Sequence, residues 1–237
     1  MDAGVVAKGL VVERFADARA AWLGGSVARG TATATSDLDI TVLLVGAPAP
    51  YRESLEYGGW PVELFVHTEV SLKEFRAKDS ARRRPTMMRL VGESIVLLDT
   101  DGSGRKLQVD CLEEIAAGPA PLSETDLLLR RYHVTGLLDD LLGASDNDEV
   151  AAIAAALWGD AAELLLLGNT RWTGIGKGLR RELQAYDEAQ GTTYASSLLA
   201  GLRSAINGDP RPLAEVVEVV LATQGGRLFE GFRLAAT

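Results

Sequence analysis

Two aspartates separated by one residue are the strongest sign of chemistry in this 237-residue chain. The segment from Asp37 to Val45 reads DLDITVLLV, and its β-branched, partly alternating residues predict a strand. Because side chains two positions apart in a strand share a face, Asp37 and Asp39 should project together, with Leu38 and Ile40 on the other face. Two crowded carboxylates need a cation, and pairs of Mg²⁺ ions held by oxygen ligands serve phosphoryl and nucleotidyl transfer. The pair therefore predicts a magnesium site.

A glycine-rich turn comes shortly before the aspartates. Gly24, Gly25 and Ser26 follow the short apolar segment Ala20 to Leu23, which predicts another strand. Glycines let the backbone bend closely around an anion, and residues from Ser26 onward should open a short helix whose N-terminus faces the same place. A plain turn between a strand and a helix could have the same residues. Their combination with the aspartate pair favours a site for a triphosphate.

A lysine far along the chain is a candidate for binding phosphate groups. Lys177 follows Thr173-Gly-Ile-Gly176 and is expected to start a helix, which brings an ammonium group and free backbone N–H groups together. Such a group can bind the β- and γ-phosphates of a nucleotide. The segment is not a Walker A motif, because Gly178 follows the lysine. An ordinary first helical turn explains the same residues, and both interpretations stay open.

The elements that must position these residues are mixed in the first part of the chain. Apolar residues recur at helical spacing from Gly4 to Ala18. Further strands are predicted at Val62 to Val66 and Ile95 to Leu98, and further helices at Ser71 to Arg83 and Arg105 to Ala117. We therefore predict a small mixed sheet with helices.

The second part of the chain is Ala- and Leu-rich with helical spacing throughout. The segment Gly118-Pro-Ala-Pro-Leu-Ser123 breaks the preceding pattern, so we place a domain boundary there and predict domains at residues 1–118 and 123–237. The predicted helices of the second domain run over Ser123 to Leu142, Asp148 to Leu167, Gly176 to Gln190, Thr193 to Asn207 and Pro212 to Gln224. The predicted fold class is α+β: a small mixed-sheet domain followed by a C-terminal α-helical bundle.

Composition limits the partners. With 24 basic and 33 acidic residues the net charge is −9, which argues against polymeric nucleic acid and leaves a nucleotide or a cationic small molecule. The single cysteine, Cys111, can form no internal disulfide. The start of the chain has no basic region typical of a signal peptide, and the longest apolar run, Val150 to Trp158, is too short to span a membrane. We expect a cytoplasmic protein that acts without a membrane.

The segment around the aspartates resembles the DNA polymerase β-like nucleotidyltransferase superfamily, in which Gly-Ser is followed after a short interval by Asp-x-Asp. Gly25-Ser26 and Asp37-Leu38-Asp39 match this motif, and the resemblance covers roughly residues 20–67. In layout the chain is most similar to the bacterial antibiotic nucleotidyltransferases that act on aminoglycosides or lincosamides, which also have a C-terminal helical domain.

The resemblance implies further site residues. Glu63, between the apolar residues of Pro61 to Val66, matches the third carboxylate of the family, which lies on a neighbouring strand. Arg29, Gly30 and Ser36 match residues that members of the family acting on small molecules or proteins often have, and the resemblance implies that Arg29 and Ser36 bind the nucleotide. Whether Glu63 is a metal ligand or a general base stays open at this point.

The remaining polar and aromatic candidates favour structural interpretations. His67 shares a strand face with Glu63, so a base role is conceivable, but a surface or half-buried histidine is preferred. His133 is interpreted as part of a polar helix face. The basic run Arg82 to Arg84 is interpreted as a solvated helix end, with contact to a nucleotide as the alternative. The tryptophans interpreted as core residues are Trp22, Trp158 and Trp172.

The resemblance therefore implies an enzyme that moves NMP, with ATP as the expected donor, from an NTP to a hydroxyl group. Asp37, Asp39 and Glu63 would hold two Mg²⁺ ions. The residues expected to bind the nucleotide are Gly25, Ser26, Arg29, Ser36 and Lys177. A small-molecule acceptor, such as an antibiotic, is favoured by the second domain and the acidic charge. The alternatives are an AMP-transferase of the antitoxin type that modifies a protein, and a non-catalytic nucleotide-binding protein.

Overall fold

The chain, described by a computed structural model, forms two compact units, Met1–Gly118 and Pro119–Thr237. The structure describes residues 2–234. Within that range the first unit contains every strand, and the second is built of helices.

The described part of the first unit has five strands and five helices. In chain order these are α1 (Ala3–Arg14), β1 (Ala20–Leu23), α2 (Gly25–Ala28), β2 (Leu38–Leu43), β3 (Tyr51–Tyr57), β4 (Trp60–His67), α3 (Glu69–Arg82), α4 (Thr86–Gly92), β5 (Ile95–Asp99) and α5 (Ser103–Ala117). The five strands form one sheet in the order β3-β4-β2-β1-β5. The pair β2/β4 is parallel and the others are antiparallel, so the prediction of a mixed sheet is confirmed.

The alternation of side chains along β2 and β4 separates a core face from a chemical face. Ile40 and Leu64 are fully buried in a cluster that includes Leu10 of α1. Asp39 and Glu63 occupy the alternate positions, and the parallel register places them opposite each other. Further along this second face Thr41, Leu43 and His67 are buried, Phe65 is half-buried, and α4 and α5 contact β1. The sheet therefore leaves its carboxylates partly buried at one end, while the alternate positions of β2 and β4 build the core.

The second unit is a helical bundle with its own core. Its helices are α6 (Glu124–Gly143), α7 (Asn147–Gly168), α8 (Lys177–Gln190), α9 (Tyr194–Ile206) and α10 (Arg211–Thr223), each within one residue of its predicted bounds. Of the helices between residues 2 and 234, α7 alone is long and apolar enough to cross a membrane. Half of its apolar window is buried, and residues such as Leu157 and Leu164 pack in the bundle core. The hydrophobicity of α7 is thus used in packing within the unit.

The ends of most predicted elements of the first unit lie within two residues of the observed bounds; β2, for example, runs over Leu38–Leu43 and not from Asp37 to Val45. Three elements differ more. Helix α1 ends at Arg14 rather than at Ala18, because the apolar spacing continues through a turn in which Phe15 and Ala18 are also buried. Strand β3 was not predicted, because its charged residues hide the alternation. The short helix α4 was also missed, because it lies directly after the basic run and Pro85.

Candidate active site

Three carboxylates meet at one end of the chemical face of the sheet. Asp37 immediately precedes β2, Asp39 is the second residue of that strand, and Glu63 lies opposite on β4. One oxygen atom from each of the three lies within 4.8 Å of the others, and all three residues are half-buried. Oxygen ligands of one Mg²⁺ ion are at most about 4.2 Å apart, so small side-chain rotations suffice to bind a divalent cation. The cluster therefore fits the metal that the sequence predicts.

The backbone at Gly25 packs against the aspartate that faces it. The N–H of Gly24 donates to the carbonyl oxygen of Asp39 at 2.8 Å, which fixes the end of β1 beside β2. Gly25 has φ +67°, and a Cβ added there would lie 2.8 Å from Cγ of Asp39 and closer still to Oδ2. Only glycine combines this conformation with this approach. The predicted turn thus lies directly against the carboxylate site.

Two serine hydroxyls lie together beside this turn. Ser26, which is 8% exposed, donates from Oγ to Oγ of Ser36 at 3.0 Å. The N–H of Thr33 donates to the same Ser36 oxygen at 2.8 Å. The sequence-predicted residues Ser26 and Ser36 are therefore brought together, and their contact holds the loop between α2 and β2 against the turn.

Arg29 lies at the end of the same short helix and faces α4. Its Nη1 atom is 3.9 Å from Oε2 of Glu93, which also pairs with Arg89. A Cβ added at Gly24 would lie 2.8 Å from the carbonyl oxygen of Leu90 in α4. The unpredicted helix α4 therefore supports both the glycine turn and Arg29.

The structure adds a basic residue that the sequence interpretation missed. Arg52 of β3 donates from Nη2 to Oε2 of Glu63 at 2.6 Å, and its guanidinium carbon lies 5.0 Å from the centroid of the Phe65 ring. The pair Gly58-Gly59 could have predicted that the segment containing Arg52 pairs with the strand of Glu63, because two glycines between strands favour a two-residue hairpin turn. Both have positive φ, 58° and 82°, and they join β3 to β4.

The two histidines take part in local packing. His67 is 3% exposed, more buried than expected, and its Nδ1 atom lies 3.1 Å from Oγ of Ser71 at the start of α3. Burial lowers the pKa of His67, and four strand residues place it about 13 Å along β4 from Glu63. A base role for His67 is therefore unsupported. His133 lies 3.2 Å from Asp160 on the bundle.

The basic run after α3 serves the connection to α4. Arg82 donates to Oδ1 of the fully buried Asp79 at 2.6 Å, and Oδ2 of Asp79 accepts the N–H groups of Met87 and Met88 at 2.6 and 3.2 Å. Burial raises the pKa of Asp79 although these donors favour its ionised form. The run does end helix α3, and the Arg82 side chain is 56% exposed, so the expected solvated helix end is present. The contacts of Asp79 show that it also joins α3 to α4, with Arg83 in a left-handed conformation at φ 55°.

Lys177 belongs to the second unit, where it is the exposed first residue of α8. The preceding Gly176 has φ 52° and provides no side-chain cap for the helix. The helix start that the sequence predicts is therefore present, and contact of Lys177 with a nucleotide stays a prediction. Trp22 and Trp172 are buried at 0% and 6% exposure, as expected for core residues, and Trp158 packs against the bundle core.

Comparison with known proteins places the carboxylate cluster inside a known type of domain. Residues 8–85 match a sequence family described as a nucleotidyltransferase domain. No curated protein matches the chain. Among solved structures, a nucleotidyltransferase-like protein from Exiguobacterium sibiricum is similar, with 11% identity and a TM-score of 0.39 over 93% of this chain and 80% of that one.

Proposed function

We propose that the chain transfers NMP to a hydroxyl group of a small molecule. The premise is that residues 8–85 belong to the nucleotidyltransferase domain family of the DNA polymerase β-like superfamily. The chain is a nucleotidyltransferase; the acceptor, the nucleotide and the metal are the subject of the proposal. The observation that carries it is the convergence of Asp37, Asp39 and Glu63 beside the turn at Gly25. ATP is the donor that we propose, and the cytoplasm the location.

The proposed roles of the chain's residues follow from their positions. Asp37 and Asp39 hold two Mg²⁺ ions, with Glu63 as a third ligand or as the base that accepts the acceptor's proton. Gly25, Ser26, Ser36 and Arg29 bind the triphosphate. Bound there, the two ions would lower the pKa of the acceptor hydroxyl and offset the charge of the leaving pyrophosphate.

The proposed reaction is an in-line displacement. The acceptor's hydroxyl oxygen forms a bond to the α-phosphorus of the nucleotide, and the bond from that phosphorus to the bridging oxygen breaks. Pyrophosphate leaves with the electron pair, and the hydroxyl proton passes to Glu63 or to solvent. The contribution of the protein is to hold the two reactants at short range in line, which removes much of the entropic part of the barrier.

The proposed acceptor is a cationic small molecule, and aminoglycoside antibiotics are the class to test first. The chain carries a net charge of −9, with 14 basic and 17 acidic residues before Ser123 and 10 and 16 from there on. Such an acidic field attracts polycationic sugars and repels nucleic acid.

The test is to incubate the protein with labelled ATP, Mg²⁺ and a panel of aminoglycosides and lincosamides, and to weigh the products. We expect one adenylylated acceptor and one pyrophosphate for each transfer. Label on proteins of a bacterial lysate, and on no member of the panel, would replace the small-molecule proposal by that of a protein AMP-transferase. Pyrophosphate release in no mixture, with ATP still bound, would indicate a nucleotide-binding protein without catalysis.

The proposed metal dependence predicts a coupled thermal shift. ATP should raise the melting temperature only with Mg²⁺ present, because three carboxylates and a triphosphate repel each other without the cation. At about 100 times its Kd a ligand adds about 2.7 kcal/mol of stability, a shift of roughly 5 °C or more. Differential scanning fluorimetry with ATP in Mg²⁺ and in excess EDTA measures it. Equal shifts in both would contradict metal coupling, and Mg²⁺ alone is the control.

The proposed cationic acceptor predicts a dependence on salt. The apparent KM for the acceptor should rise several-fold between low and high salt, because the Debye length falls from about 30 Å at 0.01 M to about 3 Å at 1 M. The N-acetylated form of the same acceptor, which lacks the positive charges, is the matched control and should respond less. A KM that is independent of salt would contradict electrostatic attraction of the acceptor.

A further inference from the structure

Arg52 is tied to the carboxylate cluster by geometry that β3 provides. In the antiparallel register Ser54 lies opposite Glu63 and Arg52 opposite Phe65, on the face that carries the carboxylates. Arg52 therefore reaches diagonally to Glu63, as its bond of 2.6 Å from Nη2 to Oε2 shows. Its guanidinium lies over the Phe65 ring, 5.0 Å from the centroid, so two contacts fix its direction.

Stability alone gives little reason for this ion pair. Side-chain exposure is 59% for Arg52 and 28% for Glu63, and such surface pairs contribute about 0–1 kcal/mol. A similar pair joins Arg14 to Glu53, the neighbour of Arg52 in β3, on the other face of the strand, at 3.0 Å. The pair at Arg52 differs in that its carboxylate belongs to the cluster with Asp37 and Asp39.

We propose that Arg52 is a positioning residue that holds Oε2 of Glu63 and leaves Oε1 for a divalent cation shared with the two aspartates. The proposal rests on the proposed function of the cluster as a metal site. Arg52 acts through Glu63 and does not itself contact the reacting atoms. Without it, the three like charges favour a Glu63 side chain turned away from the aspartates, towards solvent.

Electrostatic repulsion by Arg52 would change metal affinity in the opposite direction. The guanidinium is positive and repels a cation, so its removal would tighten metal binding if charge alone mattered. Because the Arg52 side chain is 59% exposed, water screens much of this repulsion. Loss of a partner that orients a metal ligand typically costs 10–100-fold in metal affinity or activity. We expect orientation to outweigh repulsion.

The test measures Mn²⁺ binding directly, by electron paramagnetic resonance of the free ion, in parallel with transfer kinetics. Arg52→Gln should bind Mn²⁺ about 10-fold more weakly and lower kcat by a similar factor, with the KM for ATP changed by less than about 2-fold. Arg52→Lys, which keeps a donor but loses the planar group over Phe65, should recover part of the affinity. The matched control is Arg14→Gln, which removes the arginine of the other pair on β3 and should leave both measurements unchanged.

A double-mutant cycle with Glu63→Gln decides whether Arg52 acts through Glu63. In the Glu63→Gln background, the change Arg52→Gln should weaken Mn²⁺ binding no further. An undiminished second loss, or Mn²⁺ affinity that is unchanged or tighter in Arg52→Gln, would overturn the positioning role. If the unmodified protein binds no Mn²⁺, the proposed metal site itself fails, which separates that outcome from failure of the role of Arg52.

Discussion

The Asp39→Asn variant is expected to lose at least about 10³-fold in the rate of nucleotidyl transfer while it remains folded. The substitution keeps the shape of the side chain and removes the negative charge that a divalent cation needs. The strand should not be disturbed, because the backbone carbonyl of Asp39 still accepts the N–H of Gly24. The core face of β2, with Ile40 and Val42, is also unchanged.

Pyrophosphate release at saturating ATP and Mg²⁺ measures this effect, with circular dichroism as the check on folding. The matched control is Asp110→Asn, an aspartate of the same unit that pairs with Lys106 on α5. It should retain the activity of the unmodified protein. Near-normal release by folded Asp39→Asn would show that Asp39 is not needed for the metal, and would remove the main support for the proposed mechanism.

The sequence predicted those parts of the site that follow from local patterns. The DLDITVLLV pattern predicted the strand β2 and the shared direction of Asp37 and Asp39, because alternation is a property of the strand itself. The glycine turn was predicted in the same way. Glu63 was placed through its match to a family motif, and the parallel register of β2 with β4 explains why that position faces Asp39.

The missed features depend on contacts between distant segments. Whether Arg52 reaches Glu63 depends on the pairing of β3 with β4. The alternation of β3 was hard to recognise, because Glu53 interrupts the apolar face formed by Tyr51, Leu55 and Tyr57. Helix α4 matters because Leu90 packs on Gly24, a contact between residues far apart in the chain. For His67 the strand face was predicted correctly but the burial was not. Strand periodicity gave its face correctly but could not show that Ser71 and Phe75 of α3 would enclose it.

The second large effect that we expect is loss of transfer in Gly25→Ala. The substitution strains the backbone and also displaces the carboxylate of Asp39. Alanine at φ +67° is strained by about 1 kcal/mol. The added Cβ would also lie 2.8 Å from Cγ of Asp39, so the carboxylate must move away from the position it shares with Asp37 and Glu63. Since a misplacement of about 1 Å can cost 10²-fold in rate, we expect a loss of at least about 100-fold.

The control for Gly25→Ala separates strain from displacement of the carboxylate. Gly30 has nearly the same φ, +68°, but a Cβ added there would meet no heavy atom within 4 Å. Gly30→Ala should therefore carry the same backbone strain and keep most of the activity. Chemical denaturation of both variants, combined with pyrophosphate release, compares stability and rate on the same samples.

A second comparison tests whether the loss in Gly25→Ala arises at Asp39. In an Asp39→Ala background the Oδ2 and Cγ atoms that meet the new methyl group are gone. Cβ of residue 39 stays, 3.1 Å from the added Cβ. Gly25→Ala should therefore lower the free energy of unfolding by a little more than Gly30→Ala does in the Asp39→Ala background, and by clearly more in the unmodified background. If Gly25→Ala costs the same in both backgrounds and retains the activity of Gly30→Ala, the close approach of the turn to Asp39 has no role in the site. A larger cost only where Asp39 is present would establish that the glycine is required because it makes room for the carboxylate.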